Sequence, residues 1–135
     1  MTSFNTLHPT VLVKEKPINN MIYSTVLSGT NYGDAHDIAK DLRIGQAVIL
    51  FPHHDNNYDR YAVGVYVPNI DGKWEIDEIR CSRLGWVPNM RDEDKPVKAM
   101  LFRMLRLGFE FSVSLKEVTM YRGRIGHAAI ELRRA

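Results

Sequence analysis

Residues 47–67 read AVILFPHHDNNYDRYAVGVYV. Two apolar runs, 47–51 and 61–67, enclose a polar loop at 52–60. Both runs are rich in β-branched and aromatic side chains, which fit a pleated surface, so each reads as a strand. The loop is dense in Asn, Asp and His, whose short polar side chains satisfy backbone groups in turns. A strand, a polar loop and a second strand make a β-framework with a chemically rich connection at one end.

Outward from this stretch the same punctuation recurs. Residues 21–28 (MIYSTVLS) read as a strand ended by Gly29. Residues 34–43 carry Ala35, Ile38, Ala39 and Leu42 at helical spacing, with Asp34 as N-cap and Gly45 as stop. Beyond residue 67, Pro68 to Gly72 turns the chain, residues 73–79 read as a strand with Trp74 and Ile76 on one face, and residues 83–87 as a short strand ending at Pro88. Asp92, Glu93 and Asp94 then suit the positive end of a helix, and Pro96 suits its first turn. Val97, Met100, Leu101, Met104 and Leu105 form its stripe, and Gly108 closes it. Residues 109–116 alternate strictly, with Phe109, Phe111, Val113 and Leu115 on one face, and residues 125–133 add a further strand. The fold class is mainly β: a small OB-like, partly open β-barrel of about six strands with two short helices.

At 135 residues, with 44% hydrophobic and 25% charged side chains, the chain is one ordinary globular domain able to bury a core. No apolar run nears the roughly 18 residues of a membrane helix. The first residues lack the pattern of a signal peptide, so a cytoplasmic location is expected. A single cysteine, Cys81, excludes an internal disulfide and a thiolate-rich zinc site, and reads as a small buried hydrophobe. The net charge of +2 hides an asymmetry: residues 1–79 carry 6 basic and 10 acidic side chains, residues 80–135 carry 12 and 6. A basic second half favours an anionic partner such as nucleic acid.

The loop supports several readings. His53, His54, Asp55 and Asp59 are metal-ligand types, but adjacent histidines on an extended chain point to opposite sides. A metal-dependent hydrolase would need a further carboxylate cluster, and no nucleophile elbow or phosphate-cradling glycine loop is present. A binder of nucleic-acid ends would use Tyr58 as a flat stacking face and Asp59 as acceptor for a terminal hydroxyl, which lacks a following phosphate. In the simplest reading, Asn56, Asn57 and Asp59 only shape a turn.

The run from Asn56 to Val65 (NNYDRYAVGV) resembles the signature of the HIRAN domain family, Asn-x-Tyr-Asp-x-x-Ala-Val/Ile-x-Val after an apolar strand. Further family marks follow the family's order: Gly29 to Tyr32 (GTNY), Leu42 to Gln46 (LRIGQ), Leu84 to Pro88 (LGWVP) and Leu105 to Gly108 (LRLG). The resemblance covers residues 21–118 and implies an OB-like barrel that captures the 3′ end of single-stranded DNA, in larger relatives beside a helicase-like motor. It divides the chain into an N-terminal extension (1–20), the barrel (21–118) and a basic C-terminal extension (119–135), expected as a strand packed on the same domain.

Carried over by position, the resemblance implies that Tyr58 stacks on the terminal base and Asp59 accepts from the 3′-hydroxyl. Asn56 touches the nucleotide, Tyr32 offers a second stacking surface, and Trp86 faces the nucleic acid. Two positions depart from the pattern: Asn31 and Asn89 stand where DNA-binding relatives carry Arg and Lys. Arg83, Arg91 or the C-terminal arginines are the candidate replacements. No Walker A sequence occurs, so no ATPase is expected here. The expected function is therefore a non-enzymatic module, without metal, cofactor, membrane or small-molecule substrate, that binds single-stranded DNA at 3′-hydroxyl ends in repair or fork processing. The alternatives are a protein-interaction module that has lost DNA binding, and a metal-dependent hydrolase built on His53, His54 and Asp55.

Overall fold

The computed structural model describes residues 22–30, 35–88 and 94–134. The expected N-terminal extension, the Asp34 cap, and Asn31, Tyr32, Asn89 and Arg91 lie outside them. Among the described residues there are seven strands: β1 (Ile22–Val26), β2 (Ile49–His53), β3 (Ala62–Pro68), β4 (Trp74–Ile76), β5 (Ile79–Trp86), β6 (Phe111–Tyr121) and β7 (Arg124–Arg134). The helices among the described residues are α1 (Ala35–Ile38), which runs on into a 3-10 turn at Ala39–Asp41, and α2 (Asp94–Arg106).

The strands form two antiparallel sheets, ordered β1-β7-β6 and β2-β3-β5-β4. Two narrow seams join them. Ser28 bridges Trp86 at one, and Ala47 bridges Ser114 at the other. Around the second seam the Gly45 and Val48 amides donate to the Leu115 and Val113 carbonyls, and the Leu115 amide donates to Gln46. Following both seams gives a ring of six strands, with β4 hanging outside as the second arm of a hairpin. This is the small OB-like, partly open barrel expected from the alternation. Residues 124–134, within the segment read as an extension, form the central strand of the three-stranded sheet.

The barrel is filled from all sides. Val63, Val65 and Val67 of β3, Leu84 of β5, Val113 and Leu115 of β6 and Ile130 and Leu132 of β7 are buried, and Leu101 and Phe102 of α2 join the same core. Alternation along β6 and β7 places apolar side chains inward at every second residue. Cys81 is fully buried, and burial raises its thiol pKa above the ordinary value.

Three local expectations are corrected. The segment read as a strand over 73–79 and a separate one over 83–87 is a tight hairpin, β4–β5, turning at Asp77 and Glu78, both with positive φ. Such turns usually carry Asn-Gly, so Asp-Glu hid it. Phe109 is not part of the last-but-one strand: its amide donates to the Met104 carbonyl while that of Gly108 donates to Leu105, a Schellman stop for α2. The buried face of α2 is also turned relative to the expected stripe, taking in Lys98 and Phe102 besides Leu101 and Met104.

Candidate functional site

The loop after β2 is built by side chains that take over backbone donors. Asn56 Oδ1 accepts from the amides of Tyr58 and Asp59 at 2.8 and 3.0 Å. Asp59 Oδ1 accepts from the Tyr61 amide at 2.9 Å, and the Asp59 carbonyl accepts from the Ala62 amide. These two Asx-type turns in succession bring the chain from β2 into β3. The turn reading of Asn56 and Asp59 therefore holds as geometry. Its by-product is that the Tyr58 side chain stands clear, with 98% of its surface exposed.

Asp59 has a second partner. Its Oδ2 accepts from Lys98 Nζ on α2, whose side chain is 2% exposed against 23% for Asp59. A buried ammonium needs such a partner, because leaving one ion unpaired in the interior is strongly destabilising. The carboxylate is thus held fixed, and each of its oxygens keeps a further lone pair. Beside it, the Tyr61 ring meets Phe102 edge-on at 5.6 Å, and the guanidinium carbons of Arg60 and Arg103 lie 5.4 and 5.2 Å from the Tyr61 centroid.

The second group lies on the outer face of the four-stranded sheet. Register between β3 and β5 slips between Val65 and Tyr66: Gly64 pairs with Trp86, Val65 with Gly85, and Tyr66 with Arg83, leaving Leu84 extra. In an unbroken strand Arg83 and Trp86 would face opposite sides. The bulge puts both outward, sends Leu84 into the core, and brings the Arg83 guanidinium 4.8 Å from the Trp86 ring and 5.0 Å from Trp74.

His53 links the two groups. It is the last residue of β2, and its ring lies 5.3 Å from Trp86, 4.9 Å from Phe51 and 6.1 Å from Trp74. His53 Nε2 and the fully buried Tyr66 hydroxyl are 2.5 Å apart. They meet over Gly64, where a Cβ would come within 2.8 Å of the Tyr66 ring and 3.1 Å of His53 Nε2. Burial lowers the His53 pKa below its ordinary value; Arg83 and His54 push the same way, Asp55 against them. His54 is exposed, whereas His53 is largely covered by the aromatic cluster. Gly85 serves the Trp86 neighbourhood similarly, since a Cβ there would lie 2.8 Å from the Ser28 carbonyl and prevent the seam with β1.

Of the sequence-derived candidates, Asn56, Tyr58 and Asp59 share the loop, and Arg83 and Trp86 share the outer face. Trp86, opposite Gly64, lies on the loop side through its contact with His53, whereas Arg83 is opposite Tyr66, toward the start of β2. Lys98, Tyr61, Arg60 and Arg103 were missed, as were Phe51, Tyr66 and Trp74. The signal for Tyr66 is Gly64 two residues before it; Lys98 gives none, because a lysine on an amphipathic helix reads as solvated. Among the described residues no helix is long and apolar enough to cross a membrane.

No family model and no curated protein matches the chain. Among solved structures it is similar to a structural-genomics protein from Lactobacillus plantarum, with a TM-score of 0.51 and 18% identity, covering 84% of this chain and 100% of that one. That likeness concerns the fold.

Proposed function

We propose that this chain is a HIRAN-like, non-enzymatic module that binds single-stranded DNA with preference for 3′-hydroxyl ends, in repair or fork processing. The observation that carries the reading is the pairing, on one braced loop, of a phenol ring with nothing packed on it and a carboxylate fixed from behind. The Tyr58 ring stacks on the last base, a contact worth about 1–3 kcal/mol. Asp59 accepts from the terminal hydroxyl through a lone pair that neither Tyr61 nor Lys98 uses. A following phosphate would meet the carboxylate's negative charge, so strand interiors and 3′-phosphate ends are disfavoured. The Lys98 ammonium keeps the carboxylate oriented and moderates its field.

Fluorescence anisotropy with short oligodeoxynucleotides tests this. Wild type binds 3′-hydroxyl ends more tightly than 3′-phosphate ends, and Tyr58→Ala weakens binding by roughly 5- to 150-fold. Asp59→Asn in a Lys98→Met background, which removes the carboxylate charge without leaving a buried ammonium unpaired, narrows the preference between the two ends. Equal affinity of wild type for both ends sinks the reading. A second reading is a protein-interaction module, favoured by Phe51 and Ile79, which are 38% and 44% exposed beside the aromatic cluster. Capture of a protein partner, with no salt-sensitive oligonucleotide binding, would favour it.

A further inference from the structure

Arg60 and Arg103 come from different elements, the loop and α2, yet both guanidinium groups gather on one ring, that of Tyr61. Arg103 Nη2 also reaches the Tyr61 hydroxyl at 3.4 Å. One turn further along α2, Arg106 stands 5.8 Å from the Phe102 ring, which itself meets Tyr61 edge-on. Arg60, Arg103 and Arg106 are exposed, and among the described residues none of the three has a carboxylate partner. By contrast, Arg80 pairs with Glu75 and Arg133 with Glu131.

Cations held close together without a counter-charge repel each other, and that repulsion is relieved when an anion enters. Stacking on an aromatic face orients a guanidinium while leaving its N–H edge free, the geometry that grips phosphate oxygens in pairs. Arg60 follows Asp59 directly in sequence, and Arg103 lies five residues beyond Lys98 on the same helix. The cationic cluster therefore adjoins the loop tip.

We propose that Arg60 and Arg103, arranged around Tyr61, form a phosphate-backbone site that carries the strand up to Tyr58; this rests on the 3′-end reading above. The two contacts act on every sequence and every terminus alike, whereas Tyr58 and Asp59 distinguish the terminus. Arg106 extends the same track along α2.

The test is a salt titration of 5′-labelled oligodeoxythymidylates, ending in 3′-hydroxyl or 3′-phosphate, against wild type, R60Q, R103Q and R60Q/R103Q. Neutralising two phosphates on a single strand contributes about 1.4 to the slope of log K against log salt, so the double variant loses that much and each single variant about half. Affinity falls equally for both termini, and the ratio between them stays as in wild type. A slope unchanged in the double variant overturns the backbone site, even if Y58A still weakens binding. A wild type without end preference, whose slope nonetheless falls in R60Q/R103Q, sinks the end reading and keeps the backbone site. A wild type that binds none of these oligonucleotides overturns both.

Discussion

Tyr58 and Tyr66 lie eight residues apart and are opposite in every physical respect. Tyr58 sits on a loop whose own side chains satisfy its backbone, so the ring contributes nothing to holding the loop. Tyr66 is fully buried, its hydroxyl is bonded to His53, and a glycine is kept beside it to make room. One phenol is displayed and the other is structural. Sequence composition treats the two alike; what separates them is whether the neighbouring residues need the ring in order to fold.

The sharpest way to break this comparison is truncation. Tyr66→Ala should cost about 3–5 kcal/mol, as large buried aromatics do. Tyr58→Ala should stay within about 0.5 kcal/mol. Urea unfolding of both variants measures the gap, and equal losses would show that Tyr58 is part of the packing after all.

Asp59 shares the loop with Tyr58 but belongs energetically with Tyr66, and this sharpens the contrast. Asp59→Ala leaves the Lys98 ammonium buried without a partner, at a cost of about 3 kcal/mol, the low end of the usual range because Asp59 is partly exposed. Adding Lys98→Met should recover most of that loss, since the orphaned charge is gone. A double variant no more stable than Asp59→Ala in the same unfolding experiment would show that the loss comes from the broken turn and not from the orphaned ammonium. The consequence for binding work is that Asp59→Ala and Asp59→Asn both remove the counter-charge of buried Lys98, so Asp59 variants separate site from fold only in a Lys98→Met background.

The smallest effect concerns His53. Its folded-state pKa lies below the ordinary value of 6.5, with burial the main cause. Above pH 6.5 neither state binds the proton, and the full stability is present. As pH falls through 6.5 the unfolded chain takes up a proton that the folded chain refuses, so stability declines until the folded-state pKa is passed. Urea midpoints between pH 7.5 and pH 5 should therefore fall, and His53→Gln should flatten that part of the curve. Parallel curves for wild type and variant would remove His53 from the account.

The barrel was legible because it rests on short-range rules. Alternation marked β6, and apolar runs marked β2 and β3. What stayed hidden depends on chain segments far apart, or on geometry that composition does not encode. The Leu84 bulge, which alone brings Arg83 and Trp86 to one face, has no signature in the sequence. Lys98 meets Asp59 across 39 residues, and nothing near Lys98 distinguishes it from a solvated lysine. The loop itself was visible as a cluster, and the resemblance singled out Tyr58 and Asp59 within it. The local residues by themselves favoured a plain turn over a binding site, and the structure displays a turn that also presents a ring.

β1 is hydrogen-bonded along its length to β7, and its residues pair with partners such as Arg133 and Ala129 at the far end of the described chain. On a ribosome, β1 must therefore wait while the described elements between it and β7 are made. Contacts of such sequence separation slow folding and leave an unpaired edge open to the wrong neighbour in the meantime. A nascent chain halted before Arg124 would expose β1 and β6 together, each lacking the strand that lies between them, and would be a natural client for a chaperone.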